Sequence, residues 1–234
     1  MTLVWRPGYL AEGDPYFSNV ALLLHGNGTN GSTTIVDNSP TPKTVTAVGN
    51  AQISTAQSKF GGASLAFDGT GDWLTTPNSS AFDLPGDFTV ECFCRFNALS
   101  ASLGSIAGKW LSTGSNLAWL IQFDESRLIF VQGNSGSFSS SLSCNVTITT
   151  GAWYHIAFTR TGTTLRGFLD GIVVGTQTTS NNLTGSTSLF IGTNQDNTGQ
   201  ALNGYIDDFR ITKGVARYTS NFTPADAPFP DAQY

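Results

Sequence analysis

Phe88-Thr-Val-Glu-Cys-Phe-Cys-Arg-Phe96 decides the fold class. Phe88, Val90, Cys92, Cys94 and Phe96 fall on one face, and Thr89, Glu91, Phe93 and Arg95 on the other. An extended chain turns successive side chains to opposite faces, so this period of two marks a strand with one face in a core. The same grammar continues downstream. Trp153-Tyr-His-Ile-Ala-Phe-Thr-Arg160, a Thr161-Gly162 turn, Thr164-Leu-Arg-Gly-Phe-Leu-Asp170 and a turn at Gly171 leading into Ile172–Thr176 read as a three-strand meander. Upstream, Val20-Ala-Leu-Leu-Leu24 suits a strand buried on both faces. Ser64–Phe67 stops at Asp68-Gly69, and Asp72–Thr75 stops before Pro77. Further strands are expected at Ser105–Trp110, Leu117–Phe123, Arg127–Gln132, Gly136–Cys144, Ser188–Gly192 and Gly204–Thr212, with one helical turn at Gly214–Tyr218.

Composition agrees. The chain has 234 residues with 26 Gly and 9 Pro, and only 12% are charged. Thr favours strands, Gly, Asn and Ser favour turns, and helix formers are scarce, with a single Met. The reading is an all-β protein: a two-sheet antiparallel jelly-roll sandwich over residues 19–218. It is preceded by an extended arm at 1–18 that would anchor to a neighbour, and followed by a Pro-rich tail at 219–234 packed on the sandwich. No internal repeat or linker divides it.

Charge and cysteine use exclude several partners. The net charge is −5 with no basic patch, which argues against nucleic acid. No stretch reaches the roughly 18 apolar residues of a membrane helix. The odd count of three cysteines argues against a disulfide framework; Cys92 and Cys94, two apart on one strand face, read as small buried hydrophobes. Residues Met1–Leu10 lack the apolar stretch of a signal peptide, so the sequons at Asn27, Asn30, Asn78, Asn145, Asn182 and Asn221 read as products of an Asn/Thr-rich composition.

Four stretches carry a family resemblance: Lys59-Phe-Gly-Gly-Ala-Ser-Leu-Ala-Phe-Asp-Gly69; Asp87–Arg95; Trp153–Arg160 with Phe168-Leu-Asp-Gly171; and Gly204-Tyr-Ile-Asp-Asp-Phe-Arg-Ile211. In order and spacing they resemble laminin-G-like/concanavalin A-like domains. Phe93 stands where that family often has Trp. Leu22-Leu-Leu-His-Gly-Asn-Gly28 and the ending Gly214–Pro230 resemble versions of this domain in structural proteins of tailed bacteriophages. That resemblance implies a virion surface protein with a structural or decorating role on capsid or tail, made in the host cytoplasm and released without secretion; the alternative readings are a host glycan-binding adhesin and, third, a polysaccharide-degrading enzyme. Its expected partners are other virion proteins, copies of itself and host surface glycans.

Catalysis is not expected. Hydrolysis of glycosidic bonds needs two carboxylates on one face about 5–10 Å apart, and Glu91 has Thr89 and Phe93 two positions away. Asp207 and Asp208 are adjacent and would face opposite sides of a regular strand, Asp124-Glu125 reads as a turn, and His25 and His155 have no nucleophile motif. No cofactor is required. The resemblance implies one structural Ca²⁺ at the rim, for which Asp37, Asp207 and Asp208 are the candidates. For carbohydrate, Trp110, Trp119, Asp124, Asn134 and Phe138 lie on neighbouring strands or loops and would line one face, with Trp73 and Trp153 assigned to the core.

Overall fold

The computed structural model describes residues 13–99, 103–111, 116–194 and 200–233. In chain order its strands are β1 (Val20–Leu24), β2 (Thr34–Ile35), β3 (Val45–Val48), β4 (Gln52–Ser54), β5 (Ser64–Asp68), β6 (Trp73–Thr76), β7 (Phe88–Phe96), β8 (Gly104–Leu111), β9 (Asn116–Phe123), β10 (Arg127–Asn145), β11 (Trp153–Thr161), β12 (Thr164–Leu169), β13 (Ile172–Thr178), β14 (Leu189–Ile191) and β15 (Asn203–Lys213). Among the described residues helix is limited to 3₁₀ geometry, in the single turns Phe17–Asn19 and Ser80–Phe82 and at Gln200.

Two antiparallel sheets result. Sheet A runs β13-β12-β11-β7-β15-β5-β4, with β1 also paired to β15; sheet B runs β10-β9-β8-β14-β6-β3-β2. β15 changes partner along its length: Asn203–Ile206 pairs with β5, and Phe209–Thr212 pairs with β1. The change falls at a bulge over Asp207 and Asp208, where Asp208 has φ +49°.

The alternation in β7 does what it dictates. Val90, Cys92, Cys94 and Phe96 enter a single core shared with Ile156 and Phe158 of sheet A and Leu74, Trp119, Ile121, Phe123, Phe130, Leu189 and Ile191 of sheet B. Aromatic rings close the gap between the sheets: Phe96 lies 4.5 Å from Phe123, and Phe130 lies 5.6 Å from Phe88 and 5.2 Å from Phe158, centroid to centroid. The three cysteines are free and buried. β1 is buried along its whole length because Leu22 and Leu24 face this core while Val20 and Leu23 face a second cluster.

That second cluster lies on the outer face of sheet A. Phe93, on the face opposite Cys92 and Cys94, packs with Val20, Leu23 and Phe229, joined by half-buried Phe17, Phe60 and Trp153. The chain after β15 supplies the cover. Tyr218 stacks on Phe222, the Phe229 N–H donates to Asp208 at 2.6 Å, and Phe222 N–H bonds Gly171 O at 2.9 Å. The turn that receives Phe222 needs its glycine: Asp170 and Gly171 both have positive φ, and a Cβ at 171 would sit 2.0 Å from Phe222 O.

Several local expectations change. Gly214–Tyr218 is irregular, with bends at Gly214 and Arg217, not helical: Arg217 N–H donates to the Thr89 hydroxyl and Tyr218 O accepts from Thr159, which ties the segment to sheet A. Arg127–Gln132 and Gly136–Cys144 form one strand, bent at Ser135 (φ +50°) and Gly136 (φ +89°). Trp73 and Trp153 are half-buried, not core. Of the expected arm, residues 1–12 lie outside the described residues; from Gly13 the chain is tied down, with Asp14 N–H bonded to Ala232 O.

Candidate functional site

Strand parity sets what the outer face of sheet A presents, and the terminal segments cover only part of it. The covered part hides charge. Glu91 is 1% exposed and accepts from Arg210 Nε at 2.9 Å, Tyr218 hydroxyl at 2.8 Å and His155 Nε2 at 3.2 Å. Asp14 bonds Arg210 and Arg217 from the other side, and the Arg210 guanidinium lies 3.8 Å from the Phe229 ring centroid. Burial alone would push the Glu91 carboxyl up; Arg210, His155 and Arg217 outweigh it and hold the group well below the usual carboxylate range. His155 and Glu91 are each 1% exposed. Cys92 and Cys94 point to the opposite face, and the pair is sealed beneath the tail.

The remaining part of that face is open. Four strands place one residue each in a row: Arg95 of β7 is opposite Tyr205 of β15, Tyr205 opposite Ala66 of β5, and Ala66 opposite Gln52 of β4. Ala66 is the small member, so the row sinks between Tyr205 and Gln52. A parallel row holds Asn203 opposite Asp68. The result is a cleft of about 620 Å³, with Asn50, Asn97, Thr33, Ser54 and Asp72 completing its wall. Arg95 backs the Tyr205 ring at 5.9 Å from its centroid and donates to Asn97 Oδ1 at 2.6 Å.

The cleft's polar groups divide into fixed and free. Asp72 is 1% exposed, and both its oxygens are taken by backbone N–H groups, from Asn50 at 2.6 Å and Asp68 at 2.8 Å. Its burial raises its pKa, while hydrogen bonds from Asn50 and Thr70 lower that of Asp68. Asp68 is exposed, accepting from Thr70 N–H at 2.8 Å and Asn50 Nδ2 at 3.0 Å. The side chains of Gln52, Asn203 and Tyr205 make no hydrogen bond among the described residues, so two amides and a phenol line the cleft without a partner among those residues. A glycosidase pair needs two carboxylates that reach the substrate; Asp72, spent on backbone, cannot act as one.

The five residues expected to bind sugar do not converge. Trp119 is fully buried, stacked on Phe130 with its Nε1–H donated to Phe82 O at 2.9 Å, and offers no platform. The pleat that puts Ile121 and Phe123 in the core puts Trp119 there too. Trp110 lies half-buried on the outer face of sheet B against Leu120, Ile129 and Val131. Asp124 holds the β9–β10 turn, accepting from Arg127 Nε at 2.8 Å and Ser126 N–H at 2.9 Å. It follows β9's far end, roughly 24 Å along the strand from Leu117, the residue opposite Trp110. Asn134 accepts from Asn182 N–H, and Phe138 is 61% exposed on β10, beyond the bend at Ser135 and Gly136.

The calcium candidates do not converge either. Asp37 accepts from the N–H groups of Leu23, Ser39 and Lys43 and from the Ser39 hydroxyl, which occupies both oxygens. Asp208 bonds His25 Nδ1 and Phe229 N–H. Asp207 accepts from Lys59 and Phe60 N–H through Oδ2, and its Oδ1 is buried without a partner. The bulge turns both aspartates toward the tail-covered face, not to opposite sides. No group of three acidic, His or Cys side chains fit for a metal occurs among the described residues. This donor set does not fit Ca²⁺, which takes six or more accessible oxygens.

A two-sheet antiparallel sandwich with a polar cleft on one outer face is a lectin-like architecture. The family model described as "Concanavalin A-like lectin/glucanases superfamily" matches residues 68–217, and the chain belongs to that family. Among solved structures it is similar to the binding domain of Paraclostridial Mosquitocidal Protein 1 (14% identity, TM-score 0.66, covering 84% of this chain and 49% of that one). It is similar also to the botulinum neurotoxin serotype D binding domain (14%, TM-score 0.66, covering 85% and 49%) and the botulinum neurotoxin type G receptor binding domain (14%, TM-score 0.64, covering 86% and 49%). The chain spans about half the length of these structures, and at such identity the likeness establishes the fold. No curated protein matches it. No helix among the described residues is long and apolar enough to cross a membrane.

Proposed function

We propose that this chain is a non-enzymatic carbohydrate-binding module displayed on a phage virion, with the open cleft of sheet A as its ligand site. One observation carries the binding assignment: Tyr205, Ala66 and Gln52 stand side by side on three strands, an aromatic flank, a gap and a free amide, with Asn203 and Asp68 one row away. Sugars are held by such sets, an aromatic surface against the C–H face and amides and carboxylates against the hydroxyls. The similarity in fold to the botulinum neurotoxin type G receptor binding domain is in keeping with a recognition role. The virion setting rests on the resemblance of Leu22–Gly28 and Gly214–Pro230 to phage structural proteins. There the domain would dock to capsid or tail, as symmetric copies, and face host glycans. A glycan array tests the binding claim: saturable binding that Tyr205→Ala abolishes, with circular dichroism unchanged, supports it; binding that survives Tyr205→Ala refutes the assigned site.

A further inference from the structure

We infer that the cleft selects uncharged, hydroxyl-rich sugars over sialylated, uronic or sulfated ones, and that Asp68 is the residue setting this preference. The inference rests on the carbohydrate reading above and adds the ligand's charge. Among the described residues that line the cleft, the ionisable groups able to carry charge at neutral pH are Asp68 and Asp72; no Lys, Arg or His lines it. Arg95, in the same row as Tyr205, lies against that ring and donates to Asn97.

Asp68 is exposed at the rim, with Thr70 N–H on one oxygen and Asn50 Nδ2 on the other. Each oxygen accepts one of these bonds, and the Asp72 carboxyl lies within hydrogen-bond reach of the group; the lone pairs that remain can receive sugar hydroxyls in a charge-assisted contact. The same two donors keep it ionised throughout the physiological range. A ligand carboxylate or sulfate entering beside it meets a fixed like charge, while the Arg95 guanidinium lies across β15 against the Tyr205 ring; the carboxylate is a repulsive element that discriminates without any contact to the preferred sugar. Gln52 and Asn203 supply donors and acceptors together, which match hydroxyls and acetamido groups rather than anions. The net charge of −5 extends the repulsion to polyanionic glycans at a distance.

The experiment uses the whole chain on an array pairing neutral glycans with their sialylated, uronic and sulfated counterparts, at about 20 mM and 500 mM salt. The expected result is neutral binding, with anionic counterparts at least tenfold weaker at low salt and the gap narrowing at high salt as the repulsion is screened. Asp68→Asn should weaken neutral binding by roughly tenfold or more and shrink the neutral-to-anionic ratio. Anionic glycans bound as tightly as neutral ones, or a ratio indifferent to both salt and Asp68→Asn, overturns the inference and leaves the carbohydrate reading standing. Binding to no glycan overturns both. Where Asp68→Asn impairs folding, the salt series on the unaltered chain still tests the charge preference itself, and Asp68→Ser tests the residue.

Discussion

Glu91→Ala tests the covered half of sheet A. The carboxylate is 1% exposed and meets Arg210 Nη2 at 2.8 Å, Tyr218 hydroxyl at 2.8 Å and His155 Nε2 at 3.2 Å. Removing it leaves the Arg210 guanidinium, itself 4% exposed, short of its main partner. Breaking a buried ion pair from one side costs about 3–5 kcal/mol, far more than a surface pair contributes. Asp14 still faces Arg210 at 3.3 Å and Arg217 at 2.5 Å, which places the cost near the lower end. At about 2–4 °C per kcal/mol for a chain of this size, Tm at pH 7 should fall by roughly 6–12 °C. The sign with pH follows from linkage. Glu91's pKa is depressed on folding, so its contribution is fully present above the ordinary value of 4.5 and declines as pH falls below it. Scanning calorimetry from pH 7 to pH 3 should therefore show the gap between the two proteins closing in acid. A Tm within 2 °C of the unaltered protein at pH 7, or a gap that widens in acid, would refute the network as a stabilising element.

Asp207 behaves oppositely. Burial first, with Asp208's charge adding to it, raises its pKa to about 6 despite bonds from Phe60 and Lys59, so the folded state loses stability as pH rises from about 4 to 6. The Tm of Asp207→Asn minus that of the unaltered chain should increase across that window; a constant difference would show that Asp207 does not titrate there. Trp119→Ala should cost about 3–5 kcal/mol through the cavity left beside Phe130, read by denaturant midpoint. The folded fraction should keep its glycan affinity, and selective loss of binding at intact stability would restore Trp119 as a ligand residue. Millimolar Ca²⁺ against EDTA should move Tm by less than about 1 °C, whereas a rise of several degrees would reveal a metal site bound only in the native state.

Fold class was legible in the sequence because β7, β11 and β12 are long, regularly alternating and bounded by turn residues. β2, β3 and β4 were not, since two to four residues, half-exposed and set among Gly, Ser and Thr, leave no period to read. The cleft stayed hidden for a related reason. Gln52, Ala66, Asp68, Arg95, Asn203 and Tyr205 become neighbours only through the registers of β4, β5, β15 and β7, which alternation within one strand does not fix. One usable signal existed: Tyr205 alternates with the apolar Ile206, as Arg95 does with Cys94, which puts both on a non-core face. Trp119 was misjudged because Leu117–Phe123 is apolar on both parities, so its core face is ambiguous until the sheet is built. Asp207 and Asp208 obey alternation only without the bulge, and nothing local in the sequence announces it.

Amide chemical-shift mapping with a bound glycan tests the account most directly. Perturbations gathered on Gln52, Ala66, Asp68, Asn97, Asn203 and Tyr205 are what the cleft predicts. Perturbations gathered instead around Trp110, Ile129 and Val131, on the outer face of sheet B, would contradict it.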